Sequence, residues 1–231
     1  MKRVTVLAGH YGSGKTNIAV NMVLKEAAGC RGPYSRLAVA DLDIVNPYFR
    51  TEDSRGELEA AGVRLIASEY ANSNVDLPSM PDDLYSITDD KDLRVIIDVG
   101  GDDRGALALG RLSAALKEEA DYEMLMVLNA YRPLTREADS ALEIMREIEQ
   151  AGRLPFTGLI NNSNLGRDTG PEDVFASAGY AERIAELSGL PLLYTTVEDR
   201  IFPECVRENA KRAEADRLPG LTALKLQKRP V

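Results

Sequence analysis

Val4-Thr5-Val6-Leu7-Ala8, followed by Gly9-His10-Tyr11-Gly12-Ser13-Gly14-Lys15-Thr16, is the stretch that decides the fold. The first five residues form a short, nearly continuous apolar run, the pattern of a strand buried on both faces of a parallel sheet. The residues from Gly9 to Thr16 fit G-x-x-x-x-G-K-[ST] in full. A helical pattern follows, from about Asn17 to Ala28. Strand, glycine loop and helix in that order are the setting in which this motif binds phosphate. Glycines let successive backbone N–H groups turn inward around an anion, where side chains would block the approach. The start of the following helix points its positive dipole end at the same anion. Lys15 is expected to reach the β- and γ-phosphates of a nucleotide, and the Thr16 hydroxyl to ligate Mg²⁺. Gly9, His10, Tyr11, Gly12, Ser13, Gly14, Lys15, Thr16 and Asn17 form the expected nucleotide-contacting set.

Outward from this loop, short apolar runs recur at Leu37–Ala40, Val63–Ala67, Arg94–Ile97, Met124–Leu128, Phe156–Ile160 and Leu190–Thr195, with helix-length segments between them. Ala138, Leu142, Met145 and Ile148 share one helical face, as do Leu109, Leu112 and Leu116. Gly29, Gly62, Gly152 and Gly189 stand where left-handed helix C-caps are expected. The alternation predicts an α/β fold: a three-layer, doubly wound, mostly parallel sheet with helices on both faces. One domain is expected over residues 1–231, ending in a short tail from about residue 214. Two stretches break the rhythm, Asp43–Arg50 and Glu69–Pro81. Long irregular loops of this kind either serve function or are plain surface connections.

The chain has 231 residues, 44% hydrophobic and 28% charged, which is ordinary for a globular protein and excludes collagen-like or wholly disordered readings. Its 28 basic and 37 acidic residues give a formal net charge of −9. An acidic surface repels phosphate backbones, so no nucleic-acid partner is expected. The two cysteines, Cys30 and Cys205, sit in no CxxC or CxC pair, which points to a reducing, cytoplasmic setting and away from a thiolate metal site. No apolar run reaches the length of about 18 residues that a membrane span needs, and no membrane partner is expected.

Two acidic sites complement the loop. Arg94-Val95-Ile96-Ile97-Asp98 is an apolar run ending in a carboxylate, the Walker B pattern, and with Gly101 it reads DxxG. A glycine there can offer its N–H to a γ-phosphate and move when that phosphate leaves. Asp41-Leu42-Asp43 follows the second apolar run, and alternation places both carboxylates on one side of the chain. One can serve Mg²⁺ through water and the other can hold an attacking water. An N-cap and a turn carboxylate are the plainer alternative.

The P-loop, the DLD and DVGG segments and the apolar run ending in Asn161-Asn162 together resemble the ParA/MinD/CobQ/CobB-like nucleotide-binding ATPases of the SIMIBI class of P-loop NTPases. The resemblance covers about residues 3 to 200. DLDIVNPYFR with DVGGDDRGALALGR looks like an uncharacterised branch of that group. It implies Lys15 and Thr16 as phosphate and magnesium residues, Asp43 as the contact of the catalytic water, Asp41 and Asp98 in the magnesium shell, and Gly101 as the switch II glycine. Many relatives carry a lysine where this chain has His10, its only histidine. His10 either contacts phosphate or is a loop histidine in place of the signature lysine, and Arg50 is a candidate to take over its charge. Asn162 stands where the family often has a base-reading asparagine, able to pair with adenine N6 and N7. Asn161-Asn162-Ser163-Asn164 lacks the Lys and Asp of NKxD, which favours ATP over GTP. Tyr194–Asp199, read as following the last strand, is expected to add backbone contacts to the base. The resemblance implies slow ATP hydrolysis by a switch with a nucleotide-dependent homodimer and a protein partner. The alternatives are a GTP-using variant, a non-catalytic nucleotide-binding scaffold or a dethiobiotin-synthetase-like or CobB-like ligase, for which Arg104, Arg111, Arg132 and Arg136 are the available basic residues.

Overall fold

In the computed structural model, residues 2–29, 32–43, 51–67, 82–101 and 103–227 are described. Arg50, Cys30 and nearly all of the two irregular stretches lie outside them. The apolar runs become strands β1 (Val4–Ala8), β2 (Arg36–Leu42), β3 (Val63–Ala67), β4 (Leu93–Val99), β5 (Tyr122–Leu128), β6 (Gly158–Asn161) and β7 (Leu192–Glu198). An eighth, β8 (Leu221–Leu224), forms inside the stretch read as a tail. All eight join one sheet in the order β3-β2-β4-β1-β5-β6-β7-β8, and every pairing is parallel. Every residue of the central strands β1 and β4 is buried, whereas the edge strands β3 and β8 are only partly so. That is why the central runs read as continuous and the edges do not.

The helices are α1 (Lys15–Ala27), α2 (Arg55–Ala60), α3 (Ser86–Asp89), α4 (Asp103–Gly110), α5 (Ser113–Glu119), α6 (Ala138–Gly152), α7 (Pro171–Ala176), α8 (Ala178–Ser188) and α9 (Phe202–Lys211). Alternation along β1 divides the core. Val4, Val6 and Ala8 pack in one layer with residues of α4, α5, α6 and α8, while Leu7 joins Ile18, Ala19 and Val23 of α1 and Leu58 of α2 in the other. A smaller cluster joins Val174, Val197, Ile201, Cys205 and Leu218. Helices on both faces of a parallel sheet make the expected three-layer α/β fold.

Three details differ from the sequence reading. Leu109, Leu112 and Leu116 are all buried, but the helix breaks between them at Arg111-Leu112. Gly110 lets the end of α4 lie close against α6, where a Cβ would stand 3.0 Å from the Ala151 carbonyl, and the Ser113 hydroxyl donates to the Gly110 carbonyl at 2.8 Å. The left-handed cap of α6 is Arg153 at φ 53°, not Gly152, which packs against Leu109 of α4. Tyr194–Glu198 belong to β7 itself, and β8 follows it.

Two arginines are buried near the amino end of the sheet. Arg94 pairs with Glu26 at 2.8 Å across β4 and α1. Arg3 is paired with Glu119 and donates to the Leu93 carbonyl at 3.0 Å. Such pairs satisfy charges that the core would otherwise leave exposed to a low dielectric.

Candidate nucleotide site

Parallel pairing puts the carboxyl ends of β2, β4, β1, β5 and β6 on one edge, where open α/β sheets bind ligands. The loop from Gly9 leaves β1 at this edge and enters α1 through Gly14, which adopts φ 94° and ψ 20°. A Cβ at Gly14 would meet strain from that left-handed backbone and lie 2.2 Å from Asn162 Nδ2. Lys15 is buried, its Nζ donating to the Gly9 carbonyl at 2.9 Å and the His10 carbonyl at 3.2 Å. His10 Nδ1 lies 2.9 Å from the Tyr11 carbonyl, a contact that requires its proton on Nδ1.

Thr16 Oγ1 donates to Asp98 Oδ2 at 2.6 Å, which joins the start of α1 to the end of β4. Asp98 is fully buried, and its Oδ1 has no hydrogen-bond partner among the described residues. Burial pushes its pKa up to about 6, with the negative charge of Asp43 adding to the rise and Lys15 and the Thr16 hydroxyl opposing it. Asp41 is the in-register neighbour of Asp98 on β2, so the two side chains share a sheet face. Its Oδ1 accepts the Asp43 backbone N–H at 2.9 Å, a local turn that presents Asp43 at the site. Behind Asp98, the chain turns at Gly101 directly under the loop, and a Cβ there would lie 2.5 Å from Tyr11 N.

An open cavity of about 300 Å³ lies over the loop, lined by Gly12, Lys15, Thr16, Asp43, Arg132 and Gln227 among others. The structure thus brings Lys15, Thr16, Asp43 and the glycine loop together, with Asp98 behind Thr16. Among the described residues no group of three His, Cys, Asp or Glu side chains is placed to hold a metal. Any ion here would depend on a hydroxyl, a carboxylate and oxygens from outside the chain.

Asn162, the expected base reader, is held by two bonds within the chain. Its Nδ2 donates to the Ser13 carbonyl at 2.6 Å and its Oδ1 accepts the Thr196 hydroxyl at 2.6 Å. It ties the glycine loop to β7, and beyond these two bonds its amide keeps one N–H and one oxygen lone pair. Asn162 also lines a small cleft with Asn164, Thr169, Thr196 and Glu198. Asn17 lines the cavity, and its Oδ1 also accepts the Gln227 backbone N–H at 3.0 Å. Arg132 and Gln227 are the lining residues that motif reading did not assign. Arg132 was legible only as one of four spare arginines; Arg111 and Arg136 do not line the cavity, and the side chain of Arg104 lies outside the described residues. What marks Arg132 is topology, because β5 pairs with β1 and its loop must abut the P-loop.

No family model matches the chain, and no curated protein matches it. Solved structures do share its fold. The signal recognition particle receptor FtsY from Elizabethkingia anophelis, in complex with GDP, is 18% identical with a TM-score of 0.52, covering 85% of this chain and 58% of that one. The cell division protein FtsY from Thermotoga maritima is 20% identical with a TM-score of 0.55, covering 84% and 61%. FtsY from Mycoplasma mycoides is 17% identical with a TM-score of 0.53, covering 84% and 59%. The chain therefore spans about three fifths of the length of these structures, and at such identities the likeness is one of fold. The shared fold is a parallel sheet with helices on both of its faces. No described helix is long and apolar enough to cross a membrane.

Proposed function

We propose that this chain is a Mg²⁺-dependent nucleoside triphosphate switch of the ParA/MinD-like kind, with ATP as its nucleotide and slow hydrolysis as its reset. The observation behind this reading is the meeting of Lys15, Thr16 and Asp43 around one cavity at the carboxyl edge of the sheet, with Asp98 bonded behind Thr16. The donor set fits magnesium: a hydroxyl, a buried carboxylate with one unpartnered oxygen, and open positions of the kind this ion fills with water and phosphate oxygens. Thr16 and Asp98, with Asp41 beside them, would hold the ion, which when bound shares the charge of the phosphates.

The chain's own residues do the rest. Backbone N–H groups of the loop and the Lys15 ammonium bind the β- and γ-phosphates and stabilise the transferring group. Asp43 orients the water for in-line attack. Gly101, packed under Tyr11, couples the presence of the γ-phosphate to the segment after β4. The cleft lined by Asn162, Asn164 and Thr196 takes the base side of the nucleotide. A guanine nucleotide is the second reading, because Glu198 in that cleft carries a carboxylate that can accept the guanine N1 and N2 protons. A single domain, a nucleotide-dependent homodimer and a protein partner complete the proposal.

Calorimetry with ATP and GTP, each with Mg²⁺, tests it. Binding of ATP that Lys15→Ala abolishes supports the reading; no heat with either nucleotide on folded protein refutes it. Light scattering with ADP and with a non-hydrolysable ATP analogue tests the switch. A mass that does not depend on the nucleotide would remove the dimer, and turnover only with an added carboxylate or amine would favour a ligase.

A further inference from the structure

We propose that Arg132 is a second cation of the phosphate site, supplied within the same chain to the polyphosphate of the nucleotide. The proposal rests on the nucleotide reading above. Register between β1 and β5 runs from Val4 opposite Tyr122 to Ala8 opposite Met126, so the segment after Leu128 emerges beside the P-loop. That segment is fixed. Asn129 accepts the backbone N–H of Tyr131 on its Oδ1 at 3.0 Å, and its carbonyl accepts Arg132 N at 3.2 Å and Thr135 Oγ1 at 3.0 Å. Ala130 N donates to Ser163 Oγ at 2.9 Å, and the Tyr131 hydroxyl to the Asp173 carbonyl at 2.8 Å. Arg132 thus projects from an ordered turn, which lowers the entropy lost when it engages a ligand.

Its side chain lies across the loop itself. Nε donates to the Gly12 carbonyl at 2.8 Å, and the guanidinium passes 3.3 to 3.4 Å from where a Cβ of residue 12 would stand. Nη1 and Nη2 make no hydrogen bond to the described residues, and no carboxylate among those residues pairs with the group, although its side chain lines the nucleotide cavity beside Lys15. In a chain of net charge −9, this is a cation held over a phosphate loop with its outer donors available. A planar fork of N–H groups matches phosphate oxygens two at a time, and an arginine in cis can serve phosphoryl transfer in this way.

The test is MgATP calorimetry over a range of salt concentrations on the full chain and on Arg132→Ala, Arg132→Gln, Arg132→Lys and Lys15→Ala, with thermal melts as the folding control. Arg132→Ala should weaken binding about tenfold to a hundredfold and flatten its salt dependence. Arg132→Gln keeps a donor for the Gly12 carbonyl but no charge, and should be as weak as Ala; Arg132→Lys should recover part of the affinity and the salt dependence. Wild-type affinity and salt dependence in Arg132→Gln would overturn the proposal, leaving Arg132 as a brace for the loop. Undiminished binding in Lys15→Ala would instead overturn the nucleotide reading beneath it.

Discussion

Replacing Asp98 by Asn should stabilise the nucleotide-free protein while removing its magnesium-dependent binding. The carboxyl is buried, and its pKa stands at about 6 against an ordinary value of 3.8. The folded state therefore holds the proton more tightly than the unfolded chain does. Ionised Asp98 destabilises the fold, and a difference of about two units corresponds to about 3 kcal/mol. That penalty is fully present above about pH 6, shrinks as the pH falls from there, and is gone below about pH 4. Asn keeps an acceptor for Thr16 Oγ1 but places an amide where Oδ1 has no partner, which costs about 1 kcal/mol at every pH. The net gain should be about 2 kcal/mol near pH 7.5 and should turn into a loss of about 1 kcal/mol near pH 3. Urea denaturation of both proteins without nucleotide or magnesium, at several pH values, reads this difference, because titrating groups remote from Asp98 cancel between them. A stability difference that does not change with pH would refute the account of Asp98 as a carboxylate strained by burial.

Gly14→Ala should lower stability by about 2 kcal/mol or more through its positive φ and the clash with Asn162, and adding Asn162→Ala should relieve only the clash; strict additivity in denaturant melts would deny the contact. Asn162→Ala alone removes two buried hydrogen bonds and should cost about 2 kcal/mol and weaken nucleotide affinity, as chemical denaturation and calorimetry would show. Glu26→Ala leaves Arg94 buried without its partner and should destabilise by about 3 to 5 kcal/mol; a loss under about 1 kcal/mol by the same assay would contradict the buried pair. Asp43→Ala should bind MgATP and fail to hydrolyse it in a phosphate-release assay, and undiminished turnover would remove its assigned role.

The elements that sequence reading located best are those with local signals. β1 and β3 begin and end where the apolar runs do, and each is bounded on one side by a glycine, Gly9 or Gly62. β4 runs two residues past Ile97, because Asp98 looks like a strand's polar end but is buried beneath Thr16. β8 carries little local signal because Leu221–Leu224 is a four-residue, half-buried edge held by its pairing with β7 and its packing on α1. At the site, the motif pointed to Lys15 and Thr16, which line the cavity, and the apolar run pointed to Asp98, which is bonded to Thr16. Bridging roles stayed hidden: Asn162 linking Ser13 to Thr196, and Arg132 over Gly12, join residues far apart in sequence. Such contacts follow from strand order, which no local pattern encodes.

After β8 the chain returns to the start of α1. Asn21 exchanges hydrogen bonds with the main chain of Lys225 at 2.8 and 2.9 Å, and Gln227 reaches Asn17 and Ser54. A segment joined directly to Gln227 would therefore issue from the rim of the cavity over the glycine loop, and on a short flexible tether its effective concentration there would be on the order of millimolar. An acidic appendage would rival phosphate for the same cations. Val4, where β1 begins, lies at the opposite end of the strands, away from that rim.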